Sequence, residues 1–349
     1  MLLSIIIINY NTFRLSCDCI RSIKETTQLE HEIILVDNNS KECAAEKFLE
    51  VFPGLNMIAL KENVGFGRAN NAGVEKAKGK YVLLLNSDTV VKPGTISETV
   101  GYLEQNPSVD ILGCKVLFDN ETVQTTVVKD EKEYSLLSAL KYLIKRNTFF
   151  VETRLFLQNR KKAKPLLPEN TSQKIIPATE QNDNTKIEVN YYNGKRIGSL
   201  VGVFLLLKRS VYLESKGFDP DFFMYYEEIE WFVNRLRNYN IVYYPYASIM
   251  HFHGGSDVHK KMNLQFFVSQ YLFWYKMGYV QYFLYLVYNL VEIPSRWLVR
   301  LVYNKPRPGK DIPAMVKSLP YFFRVLRYSN KYGGRRSMLK LNYLQKNNL

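Results

Sequence analysis

Residues 3–11 read LSIIIINYN and residues 32–40 read EIILVDNNS; in each, an unbroken aliphatic run ends in a cluster of Asn, Asp, Ser or Tyr. Apolar runs without alternation suit strands buried on both faces, as in a parallel sheet covered by helices. The same grammar returns at residues 81–89, YVLLLNSDT. Between these runs Leu15, Cys19 and Ile23 recur at helical spacing, as do Ala44, Phe48 and Phe52. Strands are therefore expected at 3–8, 32–37, 55–60 and 81–85, with a further helix over 69–78 and another opened by Pro93. Repeated βα units predict an α/β, doubly wound and mostly parallel sheet, whose ligands bind at the carboxyl ends of the strands. Three polar clusters, Asn9-Tyr10-Asn11, Asp37-Asn38-Asn39-Ser40 and Asn86-Ser87-Asp88-Thr89, then share one edge. Any one of them is ordinary turn and cap chemistry. Three together mark a site.

Beyond residue 118 the rhythm breaks. Residues 119–197 form a polar, basic insertion, and core patterning returns at 198–207, GSLVGVFLLL. A helix is expected from Glu227 and a strand near 241–244; after His259 the chain reads as helical, aromatic and basic. The 349 residues carry a net charge of +14. The charge is concentrated in residues 141–164, at +7, and 295–349, at +12, so the remainder is mildly acidic. That distribution argues against a nucleic-acid partner, which draws basic residues to the site itself. The four cysteines lack zinc spacing or a disulfide framework and read as reduced core thiols. Residues 1–10 lack a basic leader region, so a strand is expected there rather than a signal peptide.

Several residues could carry chemistry. The loop NVGFGRANNAG at 63–73 joins a strand to a helix; its glycines permit close backbone approach, and Arg68 favours a phosphate. Asp88 is the first metal candidate, because a cation held on a diphosphate needs only one or two carboxylates. His251 and His253 alternate on an extended segment, so one of them is expected to face the site. Glu227, Glu228 and Glu230 follow the aromatic run FFMYY at 222–226, which would desolvate a carboxylate and raise its pKa toward general-base strength.

Taken in order, the motifs NYN, VDNNS, NVGFGRANNAG, LNSDT, GFDPDFFMYYEEIEW and HFHGGS resemble the family 2 glycosyltransferases of GT-A fold, in their rhamnosyltransferase-like branch. The resemblance covers residues 3–118 and 198–256. It implies a GT-A domain over 1–258, with a Rossmann-like nucleotide-sugar-binding half (1–118), the insertion (119–197), an acceptor and catalytic-base half (198–258) and a helical, basic extension (259–349). By the same resemblance Tyr10 and Asp37 would hold the base and ribose of a nucleotide-diphosphate sugar, and Asn63, Gly65 and Asn70 would line its pocket beside Arg68. Asp88 matches the metal-binding aspartate of a DxD motif whose first position here is Asn86. Glu228 matches the general base, with Glu227, Glu230, Trp231 and His253 on the acceptor side. His251 matches the metal-proximal histidine, with His253 as the alternative. The implied reaction is an inverting transfer assisted by Mg²⁺ or Mn²⁺, with rhamnose from dTDP-rhamnose as the expected donor group. The alternatives are a UDP-sugar transferase of the same fold and a basic membrane-binding module without activity.

The last expectation concerns location. Residues 277–291 are uncharged and place Tyr279, Tyr282, Tyr285 and Tyr288 at three-residue spacing. The segment is too short and polar to span a bilayer, yet tyrosine favours the headgroup zone. With the basic tail behind it, this stripe predicts a cytoplasmic protein held peripherally on the inner face of the cell membrane. There it would meet an anionic surface and a lipid-linked, polyprenyl-diphosphate glycan acceptor.

Overall fold

A computed structural model describes residues 1–129, 147, 151, 191–192, 195–252, 259–303 and 312–332. Strands β1 (Leu3–Asn9), β2 (His31–Asp37), β3 (Asn56–Ala59) and β4 (Tyr81–Asn86) are parallel, in the order β3-β2-β1-β4. They alternate with helices α1 (Phe13–Thr26), α2 (Lys47–Val51) and α3 (Phe66–Lys76). The registers Asn9↔Asp37 and Ile8↔Asn86 bring the three polar clusters to one edge of the sheet.

The other half of the sheet is mixed. β5 (Thr89–Val91), α4 (Thr95–Gln105) and β6 (Ile111–Leu117) follow, and β7 (Val123–Gln124) hangs on β6. β8 (Val127–Lys129), β9 (Tyr191–Tyr192) and β10 (Lys195–Leu200) make a separate small sheet. The expected core run 198–207 is split, because Gly202 and its neighbours turn the chain from β10 into β11 (Phe204–Lys208). β11 lies between β4 and β6, antiparallel to both. After α5 (Arg209–Glu214) and the single turn α6 (Glu227–Glu230), which widens into a π turn over Trp231–Arg235, β12 (Ile241–His251) runs parallel to β6 and antiparallel to β5. Its register shifts between Tyr244 and Ser248, at Pro245, which has no N–H to give the ladder.

Alternating strand residues feed opposite faces. Ile5, Ile7, Leu35, Leu83 and Leu85 pack with α1 and α4, whereas Ile6, Ile34, Val36, Val82 and Leu84 pack with α3, α5 and Trp231. This is the doubly wound, GT-A-type sheet that the sequence predicts. Cys17, Cys19 and Cys114 are buried as free thiols, and burial pushes Cys19 up to about 12, so they serve as core residues.

The helical extension is present as α7 (His259–Met277), α8 (Tyr279–Tyr303) and α9 (Ile312–Tyr332). These helices close a third core in which Leu264, Tyr271, Trp274, Tyr282, Tyr285 and Phe322 surround Phe222, with Tyr226 and Ile229 against it. Here the structure corrects the sequence reading. Tyr282 and Tyr285 point inward and are buried, Tyr282 donating to the Phe322 carbonyl at 2.6 Å, and Tyr288 is half-buried, so the middle of the tyrosine stripe is core and only Tyr279, at 64%, is exposed. The face of α8 left to solvent is a different one. Among the described residues no helix is long and apolar enough to cross a membrane. Most of the basic stretch 141–164, as well as His253, lies outside the described residues.

Candidate active site

The carboxyl edge of the parallel strands is built by hydrogen bonds among its own polar residues. Asn9 Nδ2 donates to Asp37 Oδ1 (2.7 Å) and to Ser40 Oγ (2.9 Å), while the Ser40 amide donates to Asp37 Oδ2 (3.1 Å). Asp37 is therefore buried and fixed across the ends of β1 and β2. Tyr10 sits half-buried at the end of β1. Asn11 takes positive φ so that its Oδ1 can accept from the Lys41 and Glu42 amides.

The glycine-containing loop is clamped on both sides. Asn63 Oδ1 accepts from Asn38 Nδ2 (2.9 Å) and from the Gly65 amide (3.0 Å). Gly65 has φ +87°, and a Cβ there would lie 2.0 Å from the Phe223 carbonyl oxygen, to which the Phe66 amide donates at 2.9 Å. Only glycine fits. Arg68 Nε donates to the Pro220 carbonyl at 2.8 Å, and Asn71 binds the Tyr212 hydroxyl and both backbone groups of Phe218. The loop and the 218–226 segment thus form one wall. Asn70, expected to line the nucleotide pocket, is buried, with its amide donated to Phe66 O inside the helix. Asn71 holds the wall instead. The sequence could have signalled either.

Asp88 and His251 meet where β4 ends and β12 ends. His251 Nε2 is 3.2 Å from Asp88 Oδ1, and the Phe252 amide donates to the Asp88 carbonyl at 2.8 Å. On the other side of the ring, Nδ1 lies 2.8 Å from Gln124 Oε1. An amide oxygen only accepts, so Nδ1 donates to it, while Nε2 faces the Asp88 carboxylate. The pair offers one carboxylate and one imidazole 3.2 Å apart, a donor set that would suit a divalent cation also held by a diphosphate. No group of three or more His, Cys, Asp or Glu placed to hold a metal ion occurs among the described residues. Asn86 stands beside them, half-buried, its amide donating to the Val203 carbonyl at 3.1 Å.

Through Val203 this edge reaches the acids. Gly202 is the next residue, and a Cβ there would lie 2.6 Å from Glu228 Oε1. Tyr225 and Tyr226 both take φ +69°, a strained pair that turns the chain sharply into α6 and delivers Glu227 and Glu228 together. Glu227 is 2% exposed and its Oε2 has no hydrogen-bond partner. Burial, and then the neighbouring Glu228, hold its pKa well above the carboxylate range. Glu228 is only half-buried; burial raises its pKa too, against which the backbone amides of Glu228 and Gly202 stabilise its charge. Two adjacent carboxyls in one dry site do not both ionise. Of the two, Glu227 is the more deeply buried and is pushed further above the carboxylate range, a difference that the motif alone does not show. The Tyr225 phenol, pushed up to about 12 by burial and then by Glu227 and Glu228, lies beside both and was missed in the sequence.

Glu230 is buried on the far side of the turn, where Asn234 donates to it at 3.1 Å and Arg235 stands 3.7 Å away. Trp231 is fully buried between Tyr212 and Phe218 and donates its indole N–H to Ser215 at 3.0 Å. Both were expected on the acceptor side; in the structure both are buried and support the segment by packing and hydrogen bonds. Below them Lys276 of α7 binds Asp219 and Asp221, each at 2.8 Å, and Arg235 also reaches Asp219 at 3.0 Å. Burial would raise the Asp219 pKa, but Lys276 and Arg235 bring it below the usual range.

Residues 4–167, just under half of the chain, match the family described as glycosyl transferase family 2. An uncharacterized glycosyltransferase of Bacillus subtilis, YwdF, is 32% identical over 104 residues, covering 30% of this chain and 39% of that protein. The amylovoran biosynthesis glycosyltransferase AmsE of Erwinia amylovora is 28% identical over 103 residues, covering 28% and 38%. The matched regions therefore span well under half the length of these relatives. Among solved structures, residues 1–349 of S. aureus TarS superpose with a TM-score of 0.49 at 13% identity, covering 95% of this chain and 92% of that one.

Proposed function

We propose that this chain is a family 2 glycosyltransferase that moves a sugar from a nucleoside diphosphate to a glycan acceptor by one inverting displacement. The observation that carries the reading is a continuous path of contacts at one sheet edge. It runs from the Asp88–His251 pair through Asn86 and Val203 to Gly202 and the carboxylate of Glu228. A diphosphate at the strand ends would leave its sugar facing an anion already desolvated for proton abstraction.

In this reading Asp37, Tyr10 and the Asn63–Gly65 loop bind the nucleoside, with Arg68 beside them toward the diphosphate. Glu228 takes the proton of the acceptor hydroxyl as its oxygen bonds to the anomeric carbon, and the bond from that carbon to the diphosphate breaks. Asp88 and His251 would hold Mg²⁺ or Mn²⁺, which supplies charge neutralisation at the leaving group. Glu227, held protonated, removes a competing charge from beside the base. The donor we propose is dTDP-rhamnose and the acceptor a polyprenyl-diphosphate-linked glycan of the cell surface, reached from the inner face of the membrane. Support comes from the family resemblance and from a relative named for amylovoran biosynthesis.

The test is a thermal-shift screen of dTDP-, UDP- and GDP-sugars with and without Mn²⁺, followed by transfer assays on the donor that stabilises. Stabilisation that needs both nucleotide and cation, and is lost in Asp88→Asn, is expected. No nucleotide effect in any combination would overturn the reading.

A further inference from the structure

We infer that one face of α8 is an interfacial anchor that lies on an anionic lipid surface. The inference deepens the proposed membrane-side function and names the surface that makes the contact. The helix is amphipathic in an unusual sense. Its inward face carries Tyr282, Tyr285, Asn289, Glu292 and Val299, all buried. Its outward face carries Val280, Phe283, Val287, Leu290, Trp297 and Leu301, all exposed, with Phe283 and Trp297 each at 58% and Leu301 at 61%. Val291, Leu298 and Val302 widen the stripe and are exposed as well. A soluble surface rarely leaves so long an apolar strip to water, and this aromatic-bearing strip belongs to a helix whose other face is already packed into the third core.

The spacing 280, 283, 287, 290, 294, 297, 301 alternates threes and fours, and by itself would also suit a second helix. Charge decides between them. From residue 259 to 349 the only acids are Glu292 and Asp311. Glu292 is wholly buried, accepting from Asn147 Nδ2 at 2.9 Å and from Arg296 Nε at 2.8 Å. Residues 295–349 hold thirteen Lys and Arg. Two copies brought together through this region would set its net +12 against itself with Asp311 as its one acid, whereas an anionic leaflet attracts that charge. Pro294, inside α8 and on the exposed face, likewise suits a surface more than a tight two-helix seam.

Trp297 supplies the probe. The chain has three tryptophans; Trp231 and Trp274 are buried, so a change in emission on contact with lipid reports Trp297. The full chain is mixed with vesicles of phosphatidylcholine alone or with 30% phosphatidylglycerol, about the anionic share of a charged leaflet, at low and high salt. Variants are Phe283→Gln/Leu290→Gln/Leu301→Gln, which alters only exposed positions, and Trp297→Tyr as the optical control. Expected are co-sedimentation and a blue shift with anionic vesicles, quenching by lipids brominated in the acyl chain, weakening in high salt, and at least a tenfold loss of partitioning in the triple variant with an unchanged Tm. Sedimentation without acyl-chain quenching, or equal partitioning of the triple variant, would overturn the anchor. So would light scattering that shows a dimer abolished by the triple variant, since a second copy would then own the face. None of these readouts involves a donor sugar, so failure of the anchor and failure of the transferase reading are separable.

Discussion

Glu227 is buried and Glu228 half-buried, and the roles proposed for them differ accordingly. Replacing Glu228 by Gln keeps size and hydrogen bonding but removes the base, so donor binding should persist while turnover falls about 10²–10⁴-fold. With the native residue, the raised pKa of Glu228 places the acidic limb of kcat/KM above the ordinary glutamate value of about 4.3. Glu227 is expected to act on stability instead. A carboxyl whose folded pKa is raised favours folding below its unfolded value, and that contribution disappears as pH rises toward the folded value. Glu227→Gln should therefore gain more in Tm over the native chain at pH 8 than at pH 5; an equal gain at both would show that the buried acid is not neutral. Gln124 fixes His251 from behind. Gln124→Leu should weaken Mn²⁺ binding about 10–100-fold, read by calorimetry in the presence of a nucleoside diphosphate, while Gln124→Glu, which still accepts from Nδ1, should retain most of it.

At the level of elements the decisive piece is the turn between β10 and β11. Gly202 sits where any Cβ would meet Glu228 Oε1 at 2.6 Å and Cγ at 3.2 Å. Because the obstructed atoms are the end of a flexible side chain, Gly202→Ala should displace the base rather than unfold the protein, lowering kcat with Tm nearly unchanged. Gly65→Ala is the contrast. There the obstacle is the Phe223 backbone and φ is positive, so both stability and donor affinity should fall. Much of this level was legible in the sequence, because strands buried on both faces announce themselves as unbroken aliphatic runs and polar clusters mark where they stop. What was not legible is instructive. GSLVGVFLLL reads as one apolar run, and nothing local reveals that Gly202 folds it into two strands of different sheets. Nor does spacing say that Tyr282 and Tyr285 face inward while Phe283 and Leu290 face out. Tertiary contact with Tyr271 and Phe322 settles that, and these lie on other helices.

In the whole molecule the C-terminal helices and the 218–230 segment pack against each other. Phe222 and Tyr226, which precede the acids, pack into the core made by α7, α8 and α9, and Lys276 neutralises Asp219 and Asp221 of the same segment. Removing one partner of a largely buried ion cluster typically costs about 3–5 kcal/mol; since Arg235 still reaches Asp219, Lys276→Met should fall toward the lower end in chemical denaturation. A form ending near residue 258 should lose activity through disorder of the 218–230 turn, even on a soluble acceptor. The sheet itself carries a further consequence for how the chain is made. Residues 204–208 lie between strands contributed by residues 81–86 and 111–117, so during synthesis the middle of the sheet waits for a segment that emerges long after its neighbours. Until then β4 offers a raw hydrogen-bonding edge to any other extended chain. A ribosome-stalled fragment of residues 1–118 should thus be a sticky, chaperone-bound intermediate, and supplying residues 195–252 in trans should be what releases it.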